Sequence, residues 1–211
     1  MIHIYYKYIS EANHTKYLEQ YLNKFSYEFQ NKVSRFYRWQ DAQLSLLGRV
    51  LLCEGLKNFD LTYDNLDLDY TEFNKPYFKN SKIKFNISHS GEIVICVLTN
   101  DVEIGIDIEI MNETNLEDFK SQMTINEWQI IINSEDKTRS FFKYWTEKEA
   151  VIKSHGNGLS IPLKSFEVSN DKTEIDNQVF YLKSLPIDEN YYCCISSTVD
   201  FKSEVIEFLE Y

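Results

Sequence analysis

No apolar run in the chain approaches the roughly 18–20 residues that a membrane-spanning helix needs. The first residues, Met1-Ile2-His3-Ile4-Tyr5-Tyr6-Lys7-Tyr8-Ile9, lack the charged and apolar zones of a secretory signal and read as a strand. Positive charge is scarce: 22 Lys and Arg stand against 33 Asp and Glu, a net charge of −11. That balance argues against a broad nucleic-acid surface, which would rest on many phosphate contacts, but leaves room for a local basic pocket for a small phosphorylated ligand. The four cysteines, Cys53, Cys96, Cys193 and Cys194, have no CxxC spacing and no His cluster beside them. A zinc site and a disulfide framework are therefore not expected, and the thiols read as reduced core residues. No low-complexity linker interrupts the chain. The expectation is a cytoplasmic protein bound to neither membrane nor nucleic acid.

What is present suits a packed core, with 15 Tyr and 14 Phe in 211 residues. That length allows one domain or two small ones of about 100 residues each. Residues 2–9 predict a strand and 15–59 a helical region. Tyr17, Leu18, Tyr21, Leu22 and Phe25 carry the first helix; a second periodic run from Phe36 passes through Ala42, Leu46, Leu47, Val50, Leu51 and Leu56. Lys32, Arg35, Arg38 and Arg49 are the basic concentration of the first half, and on charge pattern alone they fit a solvated face equally well. Residues 60–73 are acidic and turn-rich. Pro76 fixes its own φ and biases Lys75 to extended backbone, giving a rigid loop at Asn74-Lys75-Pro76.

Residues 83–86 lead into Ser88-His89-Ser90-Gly91, small donors at a strand end that can face an anion. Residues 93–98 are a continuous apolar run of strand length. Ile104-Gly105-Ile106-Asp107-Ile108-Glu109-Ile110 alternates strictly, with four Ile on one face and Gly105, Asp107 and Glu109 on the other. Two carboxylates thus project side by side, with a glycine leaving open space next to them. Like charges on one face repel, and a divalent cation held by oxygen ligands, Mg²⁺ or Mn²⁺, would relieve them.

Helices are expected at 116–123, 125–133 and 141–153. In the last, Phe142, Trp145, Glu149 and Lys153 share one flank, and Phe141, Tyr144, Lys148 and Ile152 form a neighbouring row. Trp145 reads as core and Glu147 as solvent-facing. Gly156 or Gly158 ends the helix. Strands follow at 165–168, 178–182, 191–196 and 205–209. Each half opens with a strand, passes through helices and closes with strands. The fold class is α+β, two similar subdomains at 1–103 and 104–211 with a cleft between them.

Four blocks in order then resemble one family. Asn74-Lys75-Pro76, Phe85-Asn86-Ile87-Ser88-His89-Ser90-Gly91, Ile104 to Glu109, and Phe-x-x-x-Trp-x-x-Lys-Glu-Ala-x-x-Lys from Phe141 to Lys153 are similar to the signatures of the 4′-phosphopantetheinyl transferases. The length matches the monomeric, Sfp-type branch. The resemblance implies a pseudo-dimeric α+β fold with coenzyme A and Mg²⁺ in the cleft, and transfer of the phosphopantetheine arm to a serine of an apo acyl or peptidyl carrier protein, releasing 3′,5′-ADP. It implies Asp107, Glu109 and Glu149 as metal ligands, and Lys75 and Pro76 beside the adenine. Ser88, His89 and Ser90 would meet the phosphates, Lys153 and Lys148 the pyrophosphate, and Lys32 the 3′-phosphate. Lys153 would serve the leaving group, and Glu149, with Glu109 second, would take the serine proton. A mainly apolar docking patch near 111–123 would receive the carrier. Leu44 and Phe29 depart from basic residues of relatives. The alternatives are a non-catalytic relative that binds coenzyme A or a nucleotide, and a Mg²⁺-dependent pyrophosphate hydrolase.

Overall fold

The computed structural model describes residues 1–100, 102–201 and 206–211. The elements run β1 (Ile2–Tyr8), α1 (His14–Tyr21), α2 (Tyr27–Ser34), α3 (Trp39–Leu56), β2 (Leu68–Tyr70), β3 (Pro76–Phe78), β4 (Ile83–Ser90), β5 (Ile93–Asn100), β6 (Ile104–Ile110), α4 (Ile125–Asn133), α5 (Lys137–His155), β7 (Lys172–Ile175), β8 (Gln178–Ser184), β9 (Tyr191–Ser197) and β10 (Ile206–Glu210). One sheet has the order β10-β1-β5-β4, a second β6-β9-β8-β7, and β2–β3 form a small hairpin. The fold is α+β.

Alternation along the strands sets up four layers. Ile2, Ile4, Ile93, Ile95 and Val97 of the first sheet pack on Ile104, Ile106, Ile108, Cys193 and Ile195 of the second. The opposite face of the first sheet, through Tyr5, Val94, Cys96 and Leu98, carries Leu44, Leu47 and Leu51 of α3. The outer face of the second, through Phe180, Leu182 and Cys194, carries Ala150, Val151 and Ile152 of α5. In both sheets the first strand of a half lies beside its last and the last beside the one before it (β1-β5-β4; β6-β9-β8), antiparallel throughout. The end of the chain crosses back: β10 pairs parallel with β1.

Some expectations shift. Residues 116–123 form 3-10 turns (Leu116–Gln122) rather than an α-helix. Residues 165–168 are not a strand. A 3-10 turn occupies Leu163–Ser165, and the backbone beyond it is satisfied by side chains, Lys148 Nζ donating to the Leu163 and Phe166 carbonyls and Glu127 Oε1 accepting from Val168 N. A residue whose polar backbone groups are met this way needs no strand partner. The strand expected at 205–209 begins at a residue outside the described ones; its described part is β10.

The space beside Gly105 is not open. A Cβ there would run into the carbonyl oxygen of Ala150 and the amide of Ser154, because α5 lies directly on β6 at this point. Both neighbours are helix backbone and cannot turn aside. Gly105→Ala should cost about 3 kcal/mol of unfolding free energy or more through overpacking. The urea midpoint reads this, and an unchanged midpoint would show that the helix does not sit on the glycine.

Candidate active site

β6 supplies Asp107 and Glu109, α5 supplies Glu149 and Lys153, and β4 supplies Asn86, Ser88 and Ser90. Asp107 is buried, Glu109, Glu149 and Lys153 half-buried. Lys153 Nζ donates to Asp107 Oδ1 at 2.6 Å and to Ser88 Oγ at 2.9 Å. Ser88 Oγ donates to the same Oδ1 at 2.9 Å. The other oxygen of that carboxylate, Asp107 Oδ2, is buried without a hydrogen-bond partner. A buried carboxylate oxygen left unmet is costly and asks for a counter-charge or donor.

Glu109 is tied by Ser90, whose Oγ donates to its Oε2 at 2.7 Å. Burial and the Asp107 charge still raise its pKa. Glu149 makes no hydrogen bond among the described residues; burial first, then Asp107, push its carboxyl up to about 7, with Lys153 pulling the other way. Burial and the neighbouring Asp107 charge thus make Glu109 and Glu149 harder to ionise, and the site is short of positive charge.

All the donors here are carboxylate oxygens, the set a hard divalent cation takes. Among the described residues, no three His, Cys, Asp or Glu side chains are gathered as a metal cage as they stand. Lys153 pairs with Asp107 Oδ1 at 2.6 Å, and Oδ2 keeps no partner. The residues fit such a cation once that oxygen is engaged.

Other expected site residues divide. Lys75 bridges from the β2–β3 loop to the end of α5, donating to Ser154 O at 3.1 Å and to Glu103 Oε2 at 3.3 Å. With Pro76, Asn86 and Lys153 it lines a cavity of about 190 Å³, and with Phe73, Lys84 and His155 a second of about 500 Å³. His89 lies at the exposed end of β4, on the opposite face of the strand from Ser88 and Ser90. Desolvation and then the Lys153 charge hold its imidazole below the usual range. Lys32 is exposed on α2, in a shallow surface depression with Arg35 and Phe36. Leu44 is core, and Phe29 carries the Arg49 guanidinium over its ring at 5.4 Å.

Lys148 does not belong with these. It is fully buried, paired with Glu127 Oε2 at 2.9 Å and donating to Leu163 O at 2.8 Å and Phe166 O at 2.6 Å. All three of its donors are engaged away from the carboxylates, so it pins the 163–168 segment and α4 to α5. Trp145, partly buried, packs on Phe119 and Phe141. The sequence reading passed over Asn86. Asn86 had a signal in the period-two polar series Asn86, Ser88, Ser90, whose first member accepts from Ile106 N at 2.9 Å.

Glu147 is buried and not solvent-facing: Tyr192 OH donates to its Oε1 at 3.4 Å, Lys143 Nζ lies 3.6 Å away, and Oε2 has no partner.

The model for the 4′-phosphopantetheinyl transferase superfamily matches residues 103–196, and that for the N-terminal region of 4′-phosphopantetheinyl transferase matches residues 12–100. The chain is 31% identical over 202 residues to 4′-phosphopantetheinyl transferase Sfp of Bacillus subtilis strain 168, covering 89% of this chain and 88% of that protein. It is 35% identical over 152 residues to the gsp transferase of Aneurinibacillus migulanus, covering 71% of this chain and 63% of the other. Among solved structures, holo-[acyl-carrier-protein] synthase of Thermotoga maritima aligns with a TM-score of 0.38 at 15% identity, over 46% of this chain and 62% of that one.

Burial pushes the Glu147 carboxyl up from 4.5 to about 7, with Lys143 opposing. The folded state therefore holds this proton more tightly than the unfolded chain. Its contribution to stability is full below pH 4.5 and is lost as pH rises toward about 7. Glu147→Gln removes the titration, so the variant should gain on the parent across that window, by on the order of 2–3 kcal/mol at about pH 8. Urea unfolding of both proteins at several pH values measures the difference; one that does not change with pH contradicts the assignment.

Proposed function

The chain belongs to the 4′-phosphopantetheinyl transferase superfamily, in its Sfp-type branch, and from that premise we propose how its own residues carry the reaction. It is a transferase that moves the 4′-phosphopantetheine arm of coenzyme A to a carrier protein, with 3′,5′-ADP as the other product. The serine hydroxyl of the apo carrier attacks the phosphorus bearing the pantetheine. Such a step asks little covalent work of the protein, and mainly in-line positioning and compensation of charge.

Asp107, Glu109 and Glu149 are proposed to hold Mg²⁺, which when bound supplies charge compensation at the pyrophosphate. The unpartnered Oδ2 of buried Asp107, beside two carboxyls whose pKa values burial and the Asp107 charge raise, is the observation that carries this reading. Lys153, ion-paired to Asp107, is the group proposed to meet the pyrophosphate and the departing 3′,5′-ADP. Glu149 is proposed as the base: its carboxyl is untethered and poised near neutrality, whereas Glu109 is tied by Ser90. Lys75 and Pro76, at the cavities between the β2–β3 loop and α5, are proposed to border the adenine. His89 and Lys32 are the candidates for phosphate contacts remote from the carboxylates. Lys148, buried and paired with Glu127, is proposed as a structural residue.

The proposed subdomains, 1–103 and 104–211, meet along β4 and β6, with β10 exchanged into the first sheet. The carrier is proposed to approach over 111–123, where Leu116 and Phe119 lean on the Trp145 cluster. A monomer in the cytoplasm completes the proposal. Among the described residues no helix is long and apolar enough to cross a membrane. No observation favours a non-catalytic binder or a hydrolase.

The test is the intact mass of an apo acyl carrier protein incubated with the protein, coenzyme A and Mg²⁺. A gain equal to the phosphopantetheine arm, with 3′,5′-ADP released, is expected. Asp107→Ala should abolish the gain, and Glu149→Gln should lower kcat by about 10²-fold or more, as for loss of a general base. Full turnover by Glu149→Gln would remove Glu149 from that role. Cleavage of coenzyme A without a carrier would replace transfer with hydrolysis.

A further inference from the structure

Ser90 sits at the last position of β4, where the sequence pattern made it a candidate donor to phosphate. Its hydroxyl is fully committed elsewhere. Ile110 N donates to Ser90 Oγ at 3.1 Å, and Ser90 Oγ lies 2.7 Å from Glu109 Oε2. A serine hydroxyl has one proton. The main-chain amide fills one of its lone pairs, and Glu109, an acceptor when ionised, receives the proton. Nothing remains to donate to a phosphate oxygen.

The same contact fixes direction. Ile110 is the residue after Glu109 on β6, so the amide that orients the hydroxyl belongs to the strand that carries the carboxylate. Ser90 in turn is held by the β4–β5 ladder, where it pairs with Ile93 across the Gly91-Glu92 turn, Gly91 having φ +54°. A rigid strand end on one sheet therefore grips a rigid strand end on the other through one oxygen.

We infer that Ser90 is a positioning residue: it aims Glu109 at the point shared with Asp107 and Glu149, and does not bind coenzyme A. The inference rests on the proposed role of the three carboxylates. Loss of an outer hydrogen bond of this kind typically weakens metal affinity or activity 10–100-fold. Without its hydroxyl partner Glu109 can rotate away from the shared point, while Lys153 stays held by Asp107 and Ser88.

The experiment compares the parent with Ser90→Ala and Ser90→Thr, the latter keeping the hydroxyl. Mn²⁺ binding to each protein alone is read by electron paramagnetic resonance, beside steady-state kinetics with coenzyme A, Mg²⁺ and an apo acyl carrier protein. Ser90→Ala should bind Mn²⁺ about 10-fold more weakly or worse and lose kcat to a similar extent, with KM for coenzyme A within about 2-fold of the parent; Ser90→Thr should restore both. If Ser90→Ala does not fold, Ser90→Cys, which keeps the volume and offers only a weak sulfur donor, makes the same comparison. Undiminished Mn²⁺ affinity and kcat in Ser90→Ala, or a raised KM for coenzyme A with kcat unchanged, overturns the inference alone. A parent protein that transfers the arm but binds no Mn²⁺ overturns the carboxylate site itself, and the inference with it.

Discussion

The whole arrangement depends on a seam between two sheet edges that share no main-chain ladder. β4 ends the first sheet and β6 the second, and the outward amides of β6 need acceptors. Side chains from β4 provide them: Asn86 for Ile106 N and Ser90 for Ile110 N, with Ser88 between them on Asp107. Asn86 and Ser90 do for this edge what another strand's carbonyls would do, and Ser88 between them holds a carboxylate instead. They also have to lie where the acids are, because Asp107 and Glu109 are spaced by the same period. Closing the edge and orienting the carboxylates are one geometric event.

Two lysines five residues apart on α5 show how burial separates structure from chemistry. Lys148 is enclosed, and its partners, one carboxylate and two carbonyls, leave neither charge nor hydrogen bond outstanding. Removing either member of such a pair would strand the other in the interior, at a cost of about 3–5 kcal/mol. Lys153 is paired too, but Asp107 keeps an oxygen without a partner and Glu149 stands untethered beside it. The first arrangement is complete. The second keeps an oxygen unmet, and in the proposed reading a bound cation meets it.

Much of this could be read from the sequence. Strict alternation over 104–110 places Asp107 and Glu109 together, and three- and four-residue steps place Glu149 and Lys153 on one flank of α5. Those are local regularities that a backbone of fixed period enforces. What covers each face is another matter. α5 is packed by β6 and β9 at Ala150, by α4 at Phe141 and Tyr144, and by the 163–168 segment at Lys148. Periodicity separates the helix into faces without saying how many are buried, so Lys148 read as a ligand and Glu147 as solvated. Gly105 failed for a similar reason. A missing side chain shows that something approaches closely, here helix backbone, but not what. Residues 165–168 had strand composition, yet side chains distant in sequence met their backbone groups first.

The most direct test of the account is diffraction at the manganese absorption edge from crystals grown with coenzyme A and Mn²⁺. Such crystals should show an anomalous peak bounded by Asp107, Glu109 and Glu149, with Asp107 Oδ2 engaged and the Lys153 ammonium turned toward the pyrophosphate. A structure containing coenzyme A in which no peak touches Asp107, and Lys153 still lies on an Asp107 carboxylate with Oδ2 unmet, would contradict it.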